Sequence, residues 1–206
     1  MMYRKTYRCV VEGQQEDLYL QHLAKLLTKF PQTVVKFNIS EGNAYELTKS
    51  YVEYDSACLF DYDFNKSEFE LNLTTCATLN RKNQKKSKKQ STRVYHAYTS
   101  VCFDLWLVLH KKDYFASVSN NDAYVKDVIE LYNLPKGSDI KNAKVIGTIL
   151  SQITLEDVKS AISRAKLICS RKLPTDAIKV DTEKYFDNPD LSIHRFIETV
   201  IKDIPE

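Results

Sequence analysis

The sequence predicts an α/β fold, a parallel sheet flanked by helices, with a helical part at the C-terminal end. Two observations point there. The first third alternates short, continuously apolar runs with stretches of helical periodicity, and strands buried on both faces and separated by helices pair in parallel. From about residue 120 onward every pattern is helical, so residues 1–119 read as an α/β core and 120–206 as a helical region packed on it.

TYRCVVE (6–12) reads as the first strand. Residues 15–30 read as a helix, because Leu20, Leu23, Leu27 and Phe30 recur at three- and four-residue steps and Pro31 closes the run. TVVKFNIS (33–40) is a second strand, Gly42-Asn43 a turn, 43–53 a second helix and ACLFDYD (57–63) a third strand. Residues 66–80 carry a weak helical pattern, RVYHAYTS (93–100) is a strand, and the largely apolar FDLWLVLHKK (103–112) fits a short helix or strand and favours helix. Helices follow at 121–133, 140–151, 154–172 and, after Asn188-Pro189, 190–203.

Composition narrows the class. With 43% hydrophobic and 28% charged residues and only 4 Gly and 5 Pro, the 206-residue chain can build an ordinary core. Its 5 cysteines are odd in number and widely spaced, which predicts reduced core thiols rather than a disulfide frame or a zinc site. No run approaches the ~18 apolar residues of a membrane span. MMYRKTYR at the start has no apolar stretch behind it long enough for a signal peptide, so the expected location is the cytoplasm.

The chemistry concentrates at strand ends. Glu12 closes the first strand beside Gly13, and Asp61 and Asp63 close the third. On extended backbone, residues two apart point to one side, and open parallel sheets place their sites at the carboxyl ends of strands. If the first and third strands are neighbours, three carboxylates converge and need a cation between them. Hard oxygen donors suit Mg²⁺ or Mn²⁺. The plainer alternative is that these acids cap helices, since the macrodipole favours them at helix N-termini.

RKNQKKSKKQSTR (81–93) is the second signal, with seven Lys or Arg and no acid. Arg81, Lys82, Lys85, Lys86, Lys88, Lys89 and Arg93 can hold phosphates without reading sequence, or form a solvated loop. In the first case they would hold a polynucleotide over the acids, with Tyr95, His96 and Tyr98 available to stack on bases. His96 and His110 are candidates for proton transfer, His22 reads as structural, His194 as a surface residue and Trp106 as core. Neither GxxxxGK[ST] nor GxGxxG occurs, so the chain carries no phosphate-binding loop of those kinds.

Four islands, VVEGQQE (10–16), LFDYDFN (59–65), SVCFDLWLVLH (100–110) and NPDLSIHRFIETV (188–200), fall in the order seen in RloB-like proteins, which the chain resembles over most of its length. The resemblance implies a Toprim-like fold, shared with topoisomerases, primases and OLD-family nucleases. It implies that Glu12 is a general acid/base or a metal ligand, that Asp61 and Asp63 hold Mg²⁺, and that Asp104, a candidate metal residue, stands where the family has a Glu. Gln15-Glu16 replace a Thr-Glu pair. It further implies anti-phage defence beside an ABC-type ATPase. The expected function is therefore a Mg²⁺-dependent nuclease (Mn²⁺ serving as well) acting on DNA or RNA, with Glu12, Asp61, Asp63 and His110 at the chemistry and a homo-oligomer among the partners to be considered. The alternatives are a catalytically silent Toprim-like subunit that binds nucleic acid or regulates an ATPase, and a phosphatase of small substrates. The region 120–206 is the expected ATPase-docking surface, adding nothing to the acid site.

Overall fold

The computed structural model describes residues 2–49, 54–84 and 92–205. Four strands, β1 (Tyr3–Val11), β2 (Thr33–Glu41), β3 (Ser56–Asp61) and β4 (Val94–Thr99), form an all-parallel sheet in the order β2-β1-β3-β4. The first and third strands are thus neighbours, as the acid-site argument requires. Between and after them come α1 (Gln14–Leu27), α2 (Lys66–Gln84), α3 (Asp104–Leu109), α4 (Asp122–Leu131), α5 (Ala143–Ser151), α6 (Leu155–Ser170) and α7 (Ile193–Lys202). A short antiparallel hairpin, β5 (Ile178–Val180) with β6 (Glu183–Tyr185), was not legible in the sequence.

Alternation along the strands divides the core. Tyr7, Cys9 and Val11 of β1, with Ala57 and Leu59 of β3, face one large apolar cluster built with α1 and α3–α7. Val10, Cys58, Phe60 and Tyr98 face the other side, where α2, the hairpin residue Tyr185 and the segment 44–48 cover them. Leu20, Leu23 and Leu27 of α1 are fully buried, which explains their spacing. In α3 all six residues are buried, so no polar face marks its period, and the sequence could only favour a helix there.

Several boundaries move. The helix expected at 43–53 is a 3-10 segment at Ala44–Thr48, held at its start by the Asn43 side chain accepting from Tyr45 N–H; residues 50–53 lie outside the described residues. α2 is longer than its weak periodicity suggested. The last helix begins at Ile193, not 190. Residues 190–192 instead lie along β4, with Ser100 N–H donating to Asp190 O and Ser192 N–H to Tyr98 O, each at 2.8 Å. Buried Asp190 also accepts from Tyr98 Oη at 2.7 Å and from Phe186 N–H at 2.9 Å. All five cysteines are free, four of them buried, and Trp106 is fully buried.

The core crosses residue 119 without interruption. Phe196 of α7 is fully buried and meets Tyr7, Phe37 and Tyr95 from three strands at ring separations of 5.6, 6.3 and 5.6 Å. Removing that ring leaves a cavity under the sheet. Phe196→Ala is expected to lower the unfolding free energy by about 3–5 kcal/mol, read from the urea midpoint at constant m-value. His194, expected on the surface, is buried on the same helix, and burial pushes its pKa down to about 4.

Candidate active site

Glu12 is the first residue after β1, and Asp61 is the last residue of β3. Asp61 N–H donates to Glu12 Oε2 at 3.0 Å, so adjacent strand ends lock the two acids together. Buried Asn72 of α2 reaches Glu12 Oε1 with its amide at 3.4 Å, while its own carbonyl accepts from Ala44 N–H at 2.9 Å. Thr99 Oγ1 donates to Asp61 Oδ1, and Phe103 N–H donates to Asp61 Oδ2 at 3.0 Å.

Asp63 arrives differently from the sequence expectation. The strand stops at Asp61, and both Asp63 and Phe64 take left-handed backbone, with φ of 38° and 56°. Such a conformation costs an L-residue roughly 1–2 kcal/mol. The turn is held by Asp63 N–H to Val101 O and Asn65 N–H to Tyr62 O, at 3.1 and 2.8 Å. Asp61 and Asp63 therefore share a site through a strained turn rather than through the pleat.

The acids border two adjoining cavities of about 350 and 290 Å³ that share Glu12, Asp61 and Asp63. The first also has Glu41 and Glu68 on its wall and no basic side chain among its lining residues. The second adds Glu16, Cys102, Asn121 and Lys141. Asn121 and Lys141 belong to the helical C-terminal region, so the expectation that this region adds nothing to the acid site is wrong. Neither stands in a recognisable motif.

Glu16, near-fully buried in the first turn of α1, explains Gly13. The glycine backbone is extended, so no special dihedral demands it; a Cβ there would stand 3.2 Å from Glu16 Oε2. The glycine leaves room for a second carboxylate. Gly42, on the wall of the larger cavity, has φ of 141° and no space for a Cβ, which would meet Glu46 Cγ at 2.7 Å.

Burial and mutual repulsion raise the carboxyls of Glu12, Glu16 and Asp61, with Lys141 the one lysine on the cavity walls. The protein mass around Glu12 raises its carboxyl to about 7 although the side chain opens onto the cavity. The Asp61 N–H bond opposes this, and Glu16, Glu68 and Asp63 add to it. Burial, then repulsion from Glu16, pushes Asp61 well above the usual carboxylate range. Glu16 is raised by burial and by Asp104, against which Lys141 works. Asp104 lies beneath the cavities, 1% exposed, where burial raises it and bonds from Cys102 and Gln15 oppose.

The donor set suits a hard divalent cation: oxygen ligands, excess negative charge, and carboxyls whose protons a cation would displace. Among the described residues, however, no three His, Cys, Asp or Glu side chains are grouped so as to hold a metal ion as they stand. The Asp61 oxygens are turned to Thr99 and Phe103, and those of Glu12 to Asn72 and Asp61 N–H. The fit lies in the chemistry and placement of the acids; binding requires side-chain rotation.

The remaining candidates lie elsewhere. His110 is 1% exposed and borders neither cavity. Its ring bonds Trp106 O at 2.8 Å and Tyr19 Oη at 3.2 Å, and burial lowers its pKa to about 4. It supports α1 against α3, and the structure does not bring it to the acids. His96 contacts Ser192 Oγ and Glu183 Oε2, each at 3.2 Å. Tyr95 and Tyr98 pack into the two faces of the core, so neither is free to stack on a base.

Lys85, Lys86, Lys88 and Lys89 lie outside the described residues. Their flanks do not sit over the acids. The 19-residue α2 leads from the acid end back along the sheet, about 28 Å. Arg93 N–H bonds Asp55 Oδ1 at 2.8 Å at the edge where strands begin. Arg81 is bound to Asp181 Oδ2 at 2.7 Å and Thr182 Oγ1 at 3.3 Å, and Lys82 is exposed in the last turn of α2.

An all-parallel sheet in this order, with acids at the carboxyl ends of β1 and β3, is an α/β architecture consistent with the Toprim-like class. The chain belongs to the RloB-like protein family, whose sequence model matches residues 7–200. No curated protein and no solved structure matches it. Gln15 and Asp104, the two positions set apart in the comparison of sequence islands above, meet in space. Gln15 Nε2 donates to Asp104 Oδ1 at 3.2 Å and to Ile140 O at 3.1 Å. No helix among the described residues is long and apolar enough to cross a membrane.

Proposed function

We propose that this chain is a Mg²⁺- or Mn²⁺-dependent nuclease that hydrolyses phosphodiesters. The observation that carries the reading is the meeting of Glu12 and Asp61 at adjacent strand ends, with Asp63 on both cavities and Glu16 on the second. Asp61 and Asp63, with Glu12 or Glu16, would hold the ion, which would polarise the phosphate and acidify a water. Glu12, with a carboxyl near neutrality, is placed to take or return a proton. Lys141 and Asn121 line the lobe through which a phosphate can approach without meeting acids alone. Family resemblance adds the setting, anti-phage defence in company with an ABC-type ATPase.

The test is cleavage of plasmid, single-stranded DNA and total tRNA by the purified chain in Mg²⁺ or Mn²⁺, alone and with an ATPase encoded beside it. Metal-dependent cleavage that disappears in Asp63→Asn is expected. Cleavage unchanged in that variant would sink the reading. Lys141→Gln should slow turnover more than tenfold while Mn²⁺ affinity, measured by calorimetry, holds or rises, because a cation that competes with the metal has gone. Unaltered turnover would return Lys141 to charge balance for Glu16.

A second reading has its own support: the commitment of both Asp61 oxygens to Thr99 and Phe103 favours a silent Toprim-like subunit that binds nucleic acid or regulates the ATPase. Absence of cleavage together with absence of Mn²⁺ binding would select it.

A further inference from the structure

Phe64 is difficult to explain as a structural residue. The residue is 51% exposed, and its backbone is in the left-handed region that disfavours bulky side chains. In return the fold gains one edge contact, to Tyr62 at 6.2 Å. Tyr62 itself is anchored, with Phe69 at 5.2 Å and Tyr185 at 6.3 Å behind it. Strained residues of this kind cluster at functional sites.

The position of the ring is informative. Phe64 sits between Asp63 and Asn65, both on the wall of the larger acid cavity, and Tyr62 lines that cavity too. Because β1 lies between β2 and β3, the cavity has Glu12 at its centre and the ends of β2 and β3 on its two sides. On the β2 side stands a second exposed ring, Tyr45, 64% exposed and two residues from the lining residue Asn43. Exposed aromatic rings thus flank the acids from both sides.

We propose that the site takes a single-stranded polynucleotide, with a base stacked on Phe64 against Tyr62 and a neighbouring phosphate at the acids. This rests on the nuclease reading and names its substrate class. Stacking on aromatic rings recognises any base by its face and needs the base to be out of a duplex. The apolar slot behind Tyr62, bordered by Phe69, Tyr98 and Tyr185, has an interior of only about 40 Å³. That is room for a few waters, not a base, so the base lies on the open face of Phe64 rather than in a pocket. Tyr45 is placed for a base on the other side of the phosphate.

The experiment is fluorescence anisotropy with the full chain in Ca²⁺, using labelled oligothymidylate, oligouridylate and a blunt duplex of equal length. Single strands should bind more tightly than the duplex. Phe64→Ala and Phe64→Gly should each weaken single-strand binding roughly tenfold and leave the duplex unchanged. Phe64→Trp should restore affinity. Phe64→Gly also relieves the backbone, so its melting temperature should match or exceed wild type, which separates lost stacking from lost folding. Equal single-strand affinity in wild type and Phe64→Ala, or a wild-type preference for duplex, overturns the proposal. Cleavage in Mg²⁺ is scored separately. Stacking-dependent binding without cleavage removes the nuclease reading and leaves the platform; cleavage of single strands undiminished by Phe64→Ala does the reverse.

Discussion

Asp61→Asn is expected to abolish Mn²⁺ binding and to lower cleavage by more than about 100-fold, since even outer partners of a metal ligand cost roughly 10–100-fold. The fold should survive and, without metal, gain stability. An amide can accept from Phe103 N–H with its oxygen and donate to Thr99 Oγ1 with its nitrogen, so the anchors of the carboxylate are kept. What disappears is a carboxyl that burial and Glu16 hold far above its ordinary range. The unfolded chain ionises that carboxyl freely while the fold resists its ionisation, which weakens the metal-free fold at neutral pH, so the metal-free variant should melt above wild type. Added Mn²⁺ should raise the melting temperature of wild type and leave that of the variant where it was. Equal Mn²⁺ responses in the two proteins would remove Asp61 from the metal site.

The acids at strand ends were legible because two local rules sufficed. An apolar run that stops on a carboxylate marks the end of a buried strand, and an α/β alternation places such ends on one edge of a sheet. The rest depends on distant pairings. Asn72 sits in a helix of weak periodicity, and its value to Glu12 comes from α2 crossing back over β3. Lys141 and Asn121 approach from a region whose sequence carries only helical patterning. For the basic run, only the flanks Arg81, Lys82 and Arg93 are described, and they lie away from the acids; composition gives charge but not direction. Only the length of α2 shows that its C-terminal turn faces the edge where strands begin. His194 looked like a surface residue beside Arg195, but α7 packs its apolar face on β4 and takes the imidazole in with it. Gln15 and Asp104, read singly, were departures from a pattern; in contact they form one interaction that no pairwise spacing in the sequence foretells.

Glu12→Gln should lower turnover by about 10²-fold or more, and its pH behaviour separates proton transfer from mere positioning. The glutamate is raised from 4.5 to about 7 in the metal-free fold. A raised carboxyl contributes stability that is complete below its unfolded pKa and is lost as pH rises through its folded value. Metal-free wild type should therefore lose melting temperature relative to Glu12→Gln between about pH 4.5 and 7. The comparison with the variant is needed because His110 and His194, both lowered to about 4, tilt the absolute curve the other way between about 4 and 6.5. Saturating Mn²⁺ should close the gap, since a cation at the cavity favours the carboxylate. If Glu12 moves a proton, the wild-type pH–rate profile contains a limb that the variant lacks. If Glu12 only receives Asp61 N–H, glutamine Oε1 accepts that bond as well. Turnover and the limb would then both survive, and Glu12 would be left as the residue that aligns the two strand ends.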